Sequence, residues 1–568
     1  MKISEKIFNK IKYKHPWEKF YGHITMKVPN MSLYEYLYKC NEHNMESVAI
    51  NYFGKKISYR TFFKEIDTCA KALRSQGIRE GDVVSVCMAN TPEAVISFYA
   101  INKIGAISNM IHPLSAEEEI KKSLNTTKSV MLITINVSYK KVKSIIEDTQ
   151  VYKSVIVSPK DSMPFLLGVG YYLTEDRKIN IPTNSEKFLT WKDFMEKGNN
   201  YSGEVLVKRS KDQEAVILHS GGTTGEPKNI LLNNGNINVV VKQAKVLLPD
   251  TNSNDSMLSI LPLFHCFGLV ECVHFPLCIG ASIILVPKFD AKRFDKLITK
   301  YKPTIIPGVP TLFEAMLSNE HMDKVDLSNV KYVVSGGDSL NAERNDAINK
   351  FLKKHKCHHN IIQGYGMTET SGGCVFGGLG SDVLGSVGIP LPGNEVKIVK
   401  IDDHEEAKFG EVGEILISGP TVMMGYLDNE EATNEILEKD KKGKVWVHTG
   451  DLGYLNEDGV LFFVQRLKRM LIVSGYNVYP SHIEDVLMKH PAVESCGVIG
   501  IPHPYKVQVP KAFIVLKRDV EETAVLRQDI KAYCKKNLAA YMVPKEFVFR
   551  ESLPKTMVGK IDYKNLKD

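Results

Sequence analysis

A stretch rich in glycine, hydroxyl and basic residues, Leu218-His219-Ser220-Gly221-Gly222-Thr223-Thr224-Gly225-Glu226-Pro227-Lys228, has the residue types that hold phosphate. Its glycines let the backbone turn sharply and approach a ligand closely. The hydroxyls of Thr223 and Thr224 and the ammonium of Lys228 can hold phosphate oxygens, with exposed N–H groups forming an anion nest. The order is not that of the NTPase P-loop, which closes on Gly-Lys-Ser/Thr. Here Pro227 separates Glu226 from Lys228, and no hydroxyl follows the lysine. A surface turn uses the same residues, so the loop gains meaning from what stands elsewhere. Four other places carry chemistry: His265 in Leu263-Phe264-His265-Cys266, the Thr–Glu pair of Tyr365-Gly366-Met367-Thr368-Glu369, Asp451 in Thr449-Gly450-Asp451, and Lys560 after Gly559. A strand and tight turn would explain the glycines around Tyr365 but not the Thr–Glu pair. A lone histidine on an apolar stretch is more often a core residue than a ligand.

The elements that must position these residues alternate. The run Ala215-Val216-Ile217-Leu218 reads as a buried strand entering the Gly/Thr loop. Earlier, residues 47–52 and 56–59 read as two strands about a Phe53-Gly54 turn. An amphipathic helix follows over 59–76, then a strand over 83–88 and a helix over 91–104 with Pro92 in its first turn. Further strands are expected at 130–135 and 155–158, and 174–203 reads as an irregular polar connection. Strands alternating with helices predict a layered, largely parallel α/β sheet. The segment 395–401 is strand-like and opens a β-rich region, and the C-terminal part reads β-α-β in outline, with strands at 498–501 and 511–516 and a helix over 525–537. No internal repeat or low-complexity tract is evident.

The chain has 568 residues, 43% of them hydrophobic and 24% charged, which permits a large core and more than one domain. The net charge of +7 comes without a concentrated basic tract. That argues against nucleic acid as the main partner and suits an anionic substrate. Ten scattered cysteines without a Cys-x-x-Cys pair suggest a reducing, cytoplasmic setting. The cluster Lys354-His355-Lys356-Cys357-His358-His359 matches no zinc spacing and reads as a basic, solvated helix end. Residues 1–6 lack an apolar h-region. Residues 258–286 are apolar and long enough to span a bilayer. Their His265, Glu271 and His274 favour a buried helix followed by a strand over 281–286. A shorter apolar patch over 163–173 cannot span and is expected as a buried hairpin, with an interfacial contact as the alternative.

Taken in order, these stretches resemble the adenylate-forming (AMP-binding) superfamily, which includes acyl-CoA synthetases, luciferases and peptide-synthetase adenylation domains. The loop Ser220–Lys228 matches its phosphate signature except that Asn229 replaces the usual final glycine. Ser335-Gly336-Gly337-Asp338, Tyr365–Glu369, Thr449-Gly450-Asp451, Arg466, Ser474-Gly475-Tyr476 and Gly559-Lys560 follow in the family's order. The resemblance implies that Ser220, Gly221, Gly222, Thr223, Thr224, Gly225 and Lys228 bind ATP, with Thr223, Thr224 and Lys228 holding its β- and γ-phosphates. It implies that Gly337, Asp338, Tyr365 and Gly366 line the adenine, that Thr368 holds the α-phosphate and that Glu369 ligates Mg2+. Asp451 and Arg466 would hold the ribose, His265 would lie near the substrate carboxylate, and Lys560 would be the catalytic lysine. Ser474, Gly475 and Tyr476 would line the CoA channel. Lys468 would be the hinge between an N-terminal adenylation domain, 1–467, and a small mobile α+β C-terminal domain, 468–568. Arg469 and Gln465 depart from the family pattern there, as does Pro502-His503-Pro504-Tyr505-Lys506-Val507-Gln508 in place of Pro-Asp-x-x-x-Gly-Glu.

The implied reaction joins a carboxylic acid to CoA at the expense of ATP, through an acyl-adenylate. Amino-acid-activating relatives place an Asp near His265 to meet the substrate ammonium, and none lies between Ser259 and Ile279. The form Gly221-Gly222-Thr223-Thr224-Gly225 is frequent in long-chain fatty acyl-CoA synthetases, so a medium- or long-chain fatty acid is the expected substrate. An aryl acid stays open, as does a carrier-protein phosphopantetheine as acceptor in place of CoA. No transmembrane segment is expected, and peripheral membrane contact is left open.

Overall fold

The run Ala215-Val216-Ile217-Leu218 forms the buried middle of the strand Glu214–His219, inside an eight-stranded sheet. The computed structural model describes residues 13–179, 185–220, 228–338, 340–473, 476–503, 506–555 and 560–566. In spatial order the sheet runs Gly425–Tyr426, Asn229–Asn233, Glu214–His219, Ile107–Met110, Val83–Cys87, Met131–Ile135, Lys153–Val157 and Phe188–Thr190. Pairings from Glu214–His219 onward are parallel, and the first two are antiparallel. A nine-stranded sheet runs Ile389–Pro390, Gly372–Phe376, Ile361–Met367, Tyr332–Ser335, Ile305–Gly308, Ser256–Ser259, Ser282–Leu285, Val48–Tyr52 and Lys55–Ser58. The expected layered, mostly parallel α/β architecture is present.

Helices tie the two sheets together. Ser58 Oγ accepts the N–H of Thr61 and caps the helix Tyr59–Ser75, whose Phe62, Phe63, Ile66, Ala70 and Leu73 are buried. Thr91 caps the helix Pro92–Lys103 with Pro92 in its first turn, and every residue of that helix is buried. Such a cap contributes on the order of 1 kcal/mol. One continuous apolar cluster includes these helices and strands from both sheets.

The β-rich region is an antiparallel sheet of Glu395–Val399, Gly413–Ser418, Val445–Leu455 and Leu437–Lys439, with Leu461–Arg466 paired to Val445–Leu455. The C-terminal sheet contains Tyr476–Val478, Leu471–Val473, Val507–Leu516, Val493–His503 and Glu546–Phe549. It shares a separate apolar core with the helices Pro480–Met488 and Ala524–Asn537.

Several sequence expectations need correction. The segment 174–203 contains the strand Phe188–Thr190 and the helix Trp191–Asn199, whose Trp191 and Phe194 are buried. In the C-terminal part the strands expected at 498–501 and 511–516 are longer, Val493–His503 and Val507–Leu516, and pair antiparallel, while the β-α-β outline is present as Val507–Leu516, the helix Ala524–Asn537 and the parallel strand Glu546–Phe549. Pro502 pairs with Gln508 and His503 with Val507 at the end of these strands, Pro504 and Tyr505 lie outside the described residues, and Gln508 Oε1 accepts the N–H of Ile472. The helix end at 354–359 is solvated at Lys354, Lys356, His358 and His359, as expected, but His355 is buried, stacked on Phe351 and hydrogen-bonded to the Val325 carbonyl, and Cys357 is buried beside it. The patch 163–173 is an exposed helix, Phe165–Thr174, instead of a buried hairpin. Residues 258–286 do hold the expected buried helix and following strand: a wide i→i+5 helix Phe267–His274 continued by Phe275–Cys278, then the strand Ser282–Leu285, all after the strand Ser256–Ser259. Among the described residues, no helix is long and apolar enough to cross a membrane.

Candidate active site

The strand Glu214–His219 delivers Ser220 to the mouth of the Gly/Thr loop, and Asn229–Asn233 returns antiparallel beside it. Ser220 N–H donates to the Lys228 carbonyl (3.0 Å), and Ser220 Oγ accepts the N–H of Lys228 (2.9 Å). The two residues close the neck of the loop, while Gly221, Gly222, Thr223, Thr224 and Gly225 lie outside the described residues. Lys228 Nζ stands 4.6 Å from the centroid of the Tyr426 ring and 4.0 Å from Glu435.

The strand Ile361–Met367 ends in a tight turn. A Cβ on Gly366 would come within 1.9 Å of the Gly372 carbonyl oxygen, so only glycine fits there. Thr368–Thr370 form a single helical turn, with Thr368 half-buried and Glu369 buried. Glu369 Oε1 accepts the hydroxyl of Tyr426 at 2.9 Å. Tyr426 thus touches both the lysine closing the phosphate loop and the carboxylate of the Thr–Glu pair. Burial and the Glu369 charge raise its phenol pKa, which keeps it a hydrogen-bond donor. No sequence motif pointed to Tyr426. The strand Gly425–Tyr426 reaches the site by pairing with Asn229–Asn233, Tyr426 opposite Ile230.

Glu369 fits a magnesium ion. No cluster of three or more His, Cys, Asp or Glu suited to a metal is found among the described residues. Mg2+ ordinarily takes one or two carboxylates and fills its other positions with water and substrate phosphates. A single buried carboxylate beside the phosphate-loop neck meets that requirement.

Asp451 and Arg466 are direct cross-strand partners. Arg466 Nε lies 3.0 Å from Asp451 Oδ1, and Tyr365 donates its hydroxyl to Asp451 Oδ2 at 2.8 Å. Oδ1 is buried and, among the described residues, receives no well-aligned hydrogen bond, which leaves it able to accept one from a ligand hydroxyl. Burial raises the Asp451 pKa, opposed by the Arg466 charge and the Tyr365 hydroxyl. The Tyr365 ring is buried and packs near Phe463.

Gly337 has φ +81° and, with Asp338, is exposed at the end of the strand Tyr332–Ser335. The preceding Gly336 donates to the Gly308 carbonyl, and a Cβ on it would come within 3.0 Å of the Phe267 ring. His265 is held by its own backbone: its N–H donates to the Pro262 carbonyl, and Nδ1 accepts the N–H of Phe267. Burial, and then the charge of Lys560, push the His265 pKa down to about 4. The ring is therefore neutral at pH 7, with its proton on Nε2. On the same helix, Glu271 accepts the N–H of Gly373, and burial pushes its carboxyl up to about 8.

Lys560 brings the C-terminal segment to this cleft. Burial lowers its pKa, Asp338 and Asp451 raise it, and Arg466 lowers it. These groups, with His265, come from separate parts of the chain and lie near enough to the Lys560 ammonium for the charges to influence one another. The residues 556–559 before it lie outside the described residues. Lys468 sits in the turn Leu467–Arg469 between Leu461–Arg466 and Leu471–Val473. Its neighbour Arg469 pairs with Glu484 at 2.6 Å and stacks 3.6 Å over the Tyr563 ring, three residues beyond Lys560. Ser474 and Gly475 lie outside the described residues, and Tyr476 begins the strand Tyr476–Val478.

Comparison with known proteins accords with this geometry. The family model for AMP-binding enzymes matches residues 37–427, and that for the AMP-binding enzyme C-terminal domain matches 482–560. The long-chain-fatty-acid–CoA ligase of Bacillus subtilis is 32% identical over 541 residues, covering 94% of each chain. Probable 4-coumarate–CoA ligase 1 of Dictyostelium discoideum is 32% identical over 510 residues, covering 89% of this chain and 88% of its own. Among solved structures, an anthranilate CoA ligase in complex with anthranoyl-AMP superposes with a TM-score of 0.81 at 26% identity, covering 95% of this chain and 96% of its own.

Proposed function

Because the chain belongs to the AMP-binding enzyme family and is an AMP-forming acid–thiol ligase, we propose that it activates a medium- or long-chain fatty acid and transfers the acyl group to CoA. A carboxylate reacts poorly with a thiol because its leaving group would be oxide. Attack of a carboxylate oxygen on the α-phosphorus of ATP expels pyrophosphate and leaves an acyl-adenylate. The CoA thiolate then attacks the acyl carbon, and AMP departs as the thioester forms. The protein's part is to place the reactants and neutralise developing charge.

The roles are assigned as follows. Lys560 bridges the carboxylate and the α-phosphate, and Thr368 donates to the α-phosphate. The 220–228 loop and Lys228 hold the outer phosphates, and Asp451 and Arg466 hold the ribose. His265, neutral and protonated on Nε2, borders the acid carboxylate. Glu369, oriented by Tyr426, would hold Mg2+, whose charge offsets that of the phosphates. Lys468 is the pivot about which residues 468–568 turn, withdrawing Lys560 and bringing Gly475 toward the pantetheine.

The observation that carries this reading is Tyr426, whose hydroxyl donates to Glu369 while its ring meets Lys228, so that the carboxylate of the Thr–Glu pair stands beside the neck of the phosphate loop. Support for a fatty acid comes from the ligases of Bacillus subtilis and Haemophilus influenzae, both named for long-chain acids. The test is AMP release with ATP, Mg2+ and CoA across straight-chain and aromatic acids. A maximum at fatty chain lengths is expected. AMP formed only with aromatic acids would overturn the substrate, and exchange of pyrophosphate without thioester formation would replace CoA by a carrier-protein acceptor.

A further inference from the structure

The helix Phe165–Thr174 contains no charged side chain and buries none of its residues. Phe165 and Leu166 are each 82% exposed, and Leu167, Val169, Tyr172 and Leu173 are exposed beside them. A helix that is apolar all round normally lies in a core or a membrane. This one is held outside by polar fastenings. At its C-terminal end Asp176 accepts Asn136 Nδ2 and Ser158 Oγ, each at 2.7 Å, and pairs with Lys160. Tyr171 donates to Asn136 Oδ1. The apolar surface continues onto two loops anchored to the same place: Val137 follows Asn136, and Ser138 Oγ donates to the Pro113 carbonyl next to Leu114. Val137 is 55% exposed and Leu114 68%.

We propose that this patch docks the protein on the surface of a bilayer carrying anionic lipid. A ten-residue helix is about 15 Å long, too short to span and long enough to lie in the interface. Charge at the rim decides between a bilayer and a protein groove. Lys55 and Lys160 line the groove beside Phe165 and Tyr172. Lys141 donates to the carbonyls of Leu114 and Ser115, and Arg177 and Lys178 follow the helix. Lys160 pairs with Asp176 and Lys178 with Glu175, and the other three cations, Lys55, Lys141 and Arg177, outnumber the one further acid here, Asp161. Apolar side chains ringed by basic ones match acyl chains beneath anionic headgroups. The docking stands apart from the acid proposed above, since it concerns a surface remote in sequence from the catalytic motifs.

The experiment is flotation of the full-length protein with phosphatidylcholine vesicles, with and without about 30 mol% phosphatidylglycerol. The wild-type protein is expected to float with the mixed vesicles and to be released by salt. The double variant Phe165→Asp, Leu166→Asp is expected to lose binding about tenfold or more, with unchanged circular dichroism and melting temperature, since both side chains lie outside the core. Leu384→Asp, at an exposed leucine elsewhere, should float as the wild type does. Failure of the wild type to float, or equal flotation of the double variant, would overturn the proposal. So would a dimer in solution that the double variant converts to a monomer, which would make the patch a contact between two copies.

Discussion

The Tyr426 hydroxyl donates to Glu369 Oε1 at 2.9 Å, joining two residues 57 positions apart. Tyr426→Phe should leave the fold intact and lower kcat/KM for ATP by about tenfold or more, since a hydrogen bond to a charged group contributes roughly 1.5–3 kcal/mol. The magnesium concentration for half-maximal rate should rise in parallel. An unchanged magnesium titration would reduce Tyr426 to a packing role.

Lys560→Ala should lower acid-dependent ATP–pyrophosphate exchange by about a hundredfold or more, the scale of losing one preorganised charge. Thioester formation from pre-made acyl-adenylate and CoA should persist. Loss of both half-reactions together would place the lysine's role outside adenylation.

The Lys560 ammonium is destabilised by burial and supported by Asp338 and Asp451. Its pKa lies below that of an ordinary lysine, so adenylation should decline as pH rises through that lowered value. Asp338→Asn removes a supporting charge and should shift the alkaline limb to lower pH. Arg466→Gln removes an opposing one and should shift it to higher pH. A pH–rate profile of pyrophosphate exchange reads both directions.

Glu271 titrates near pH 8 in the folded protein and near 4.5 when unfolded. Between these values the folded state binds the extra proton, so the group's contribution to stability falls as pH rises. Glu271→Gln should therefore flatten the decline of melting temperature between pH 5 and pH 8. Parallel declines in the two proteins would show that Glu271 does not titrate in that window.

Arg469 grips Glu484 and the Tyr563 ring, beside Lys560 in sequence. Arg469→Ala should slow pyrophosphate exchange several-fold more than it slows thioester formation from pre-made adenylate, as expected if the grip favours the placement of Lys560 in the cleft. An equal effect on both half-reactions would remove Arg469 from any role in domain placement.

The sequence was most informative where chemistry and backbone constraint coincide. Gly366 must be glycine because the Gly372 carbonyl occupies its side-chain space, and Thr368 and Glu369 follow at once. Asp451 and Arg466, fifteen residues apart, meet because a hairpin brings them face to face. Tyr426 was not legible: its place depends on antiparallel pairing with Ile230, nearly two hundred residues earlier. The apolar run at 163–173 was misread because hydrophobicity alone does not say whether anything covers it. The fastenings through Asn136, Ser158 and Asp176 that hold it outward come from three separate segments. Arg469 looked like a simple departure until Glu484 and Tyr563 supplied its partners.

One pairing bears on how the chain is made. The N-terminal strand Val48–Tyr52 lies against Ser282–Leu285, with Ile50 opposite Ile283. Its permanent neighbour is translated about 230 residues later, so at roughly 5–20 residues per second the nascent hairpin waits on the order of ten to fifty seconds. Throughout that interval its apolar edge is open to other chains. A nascent chain shorter than about 282 residues therefore lacks the parallel neighbour that covers this strand in the finished fold.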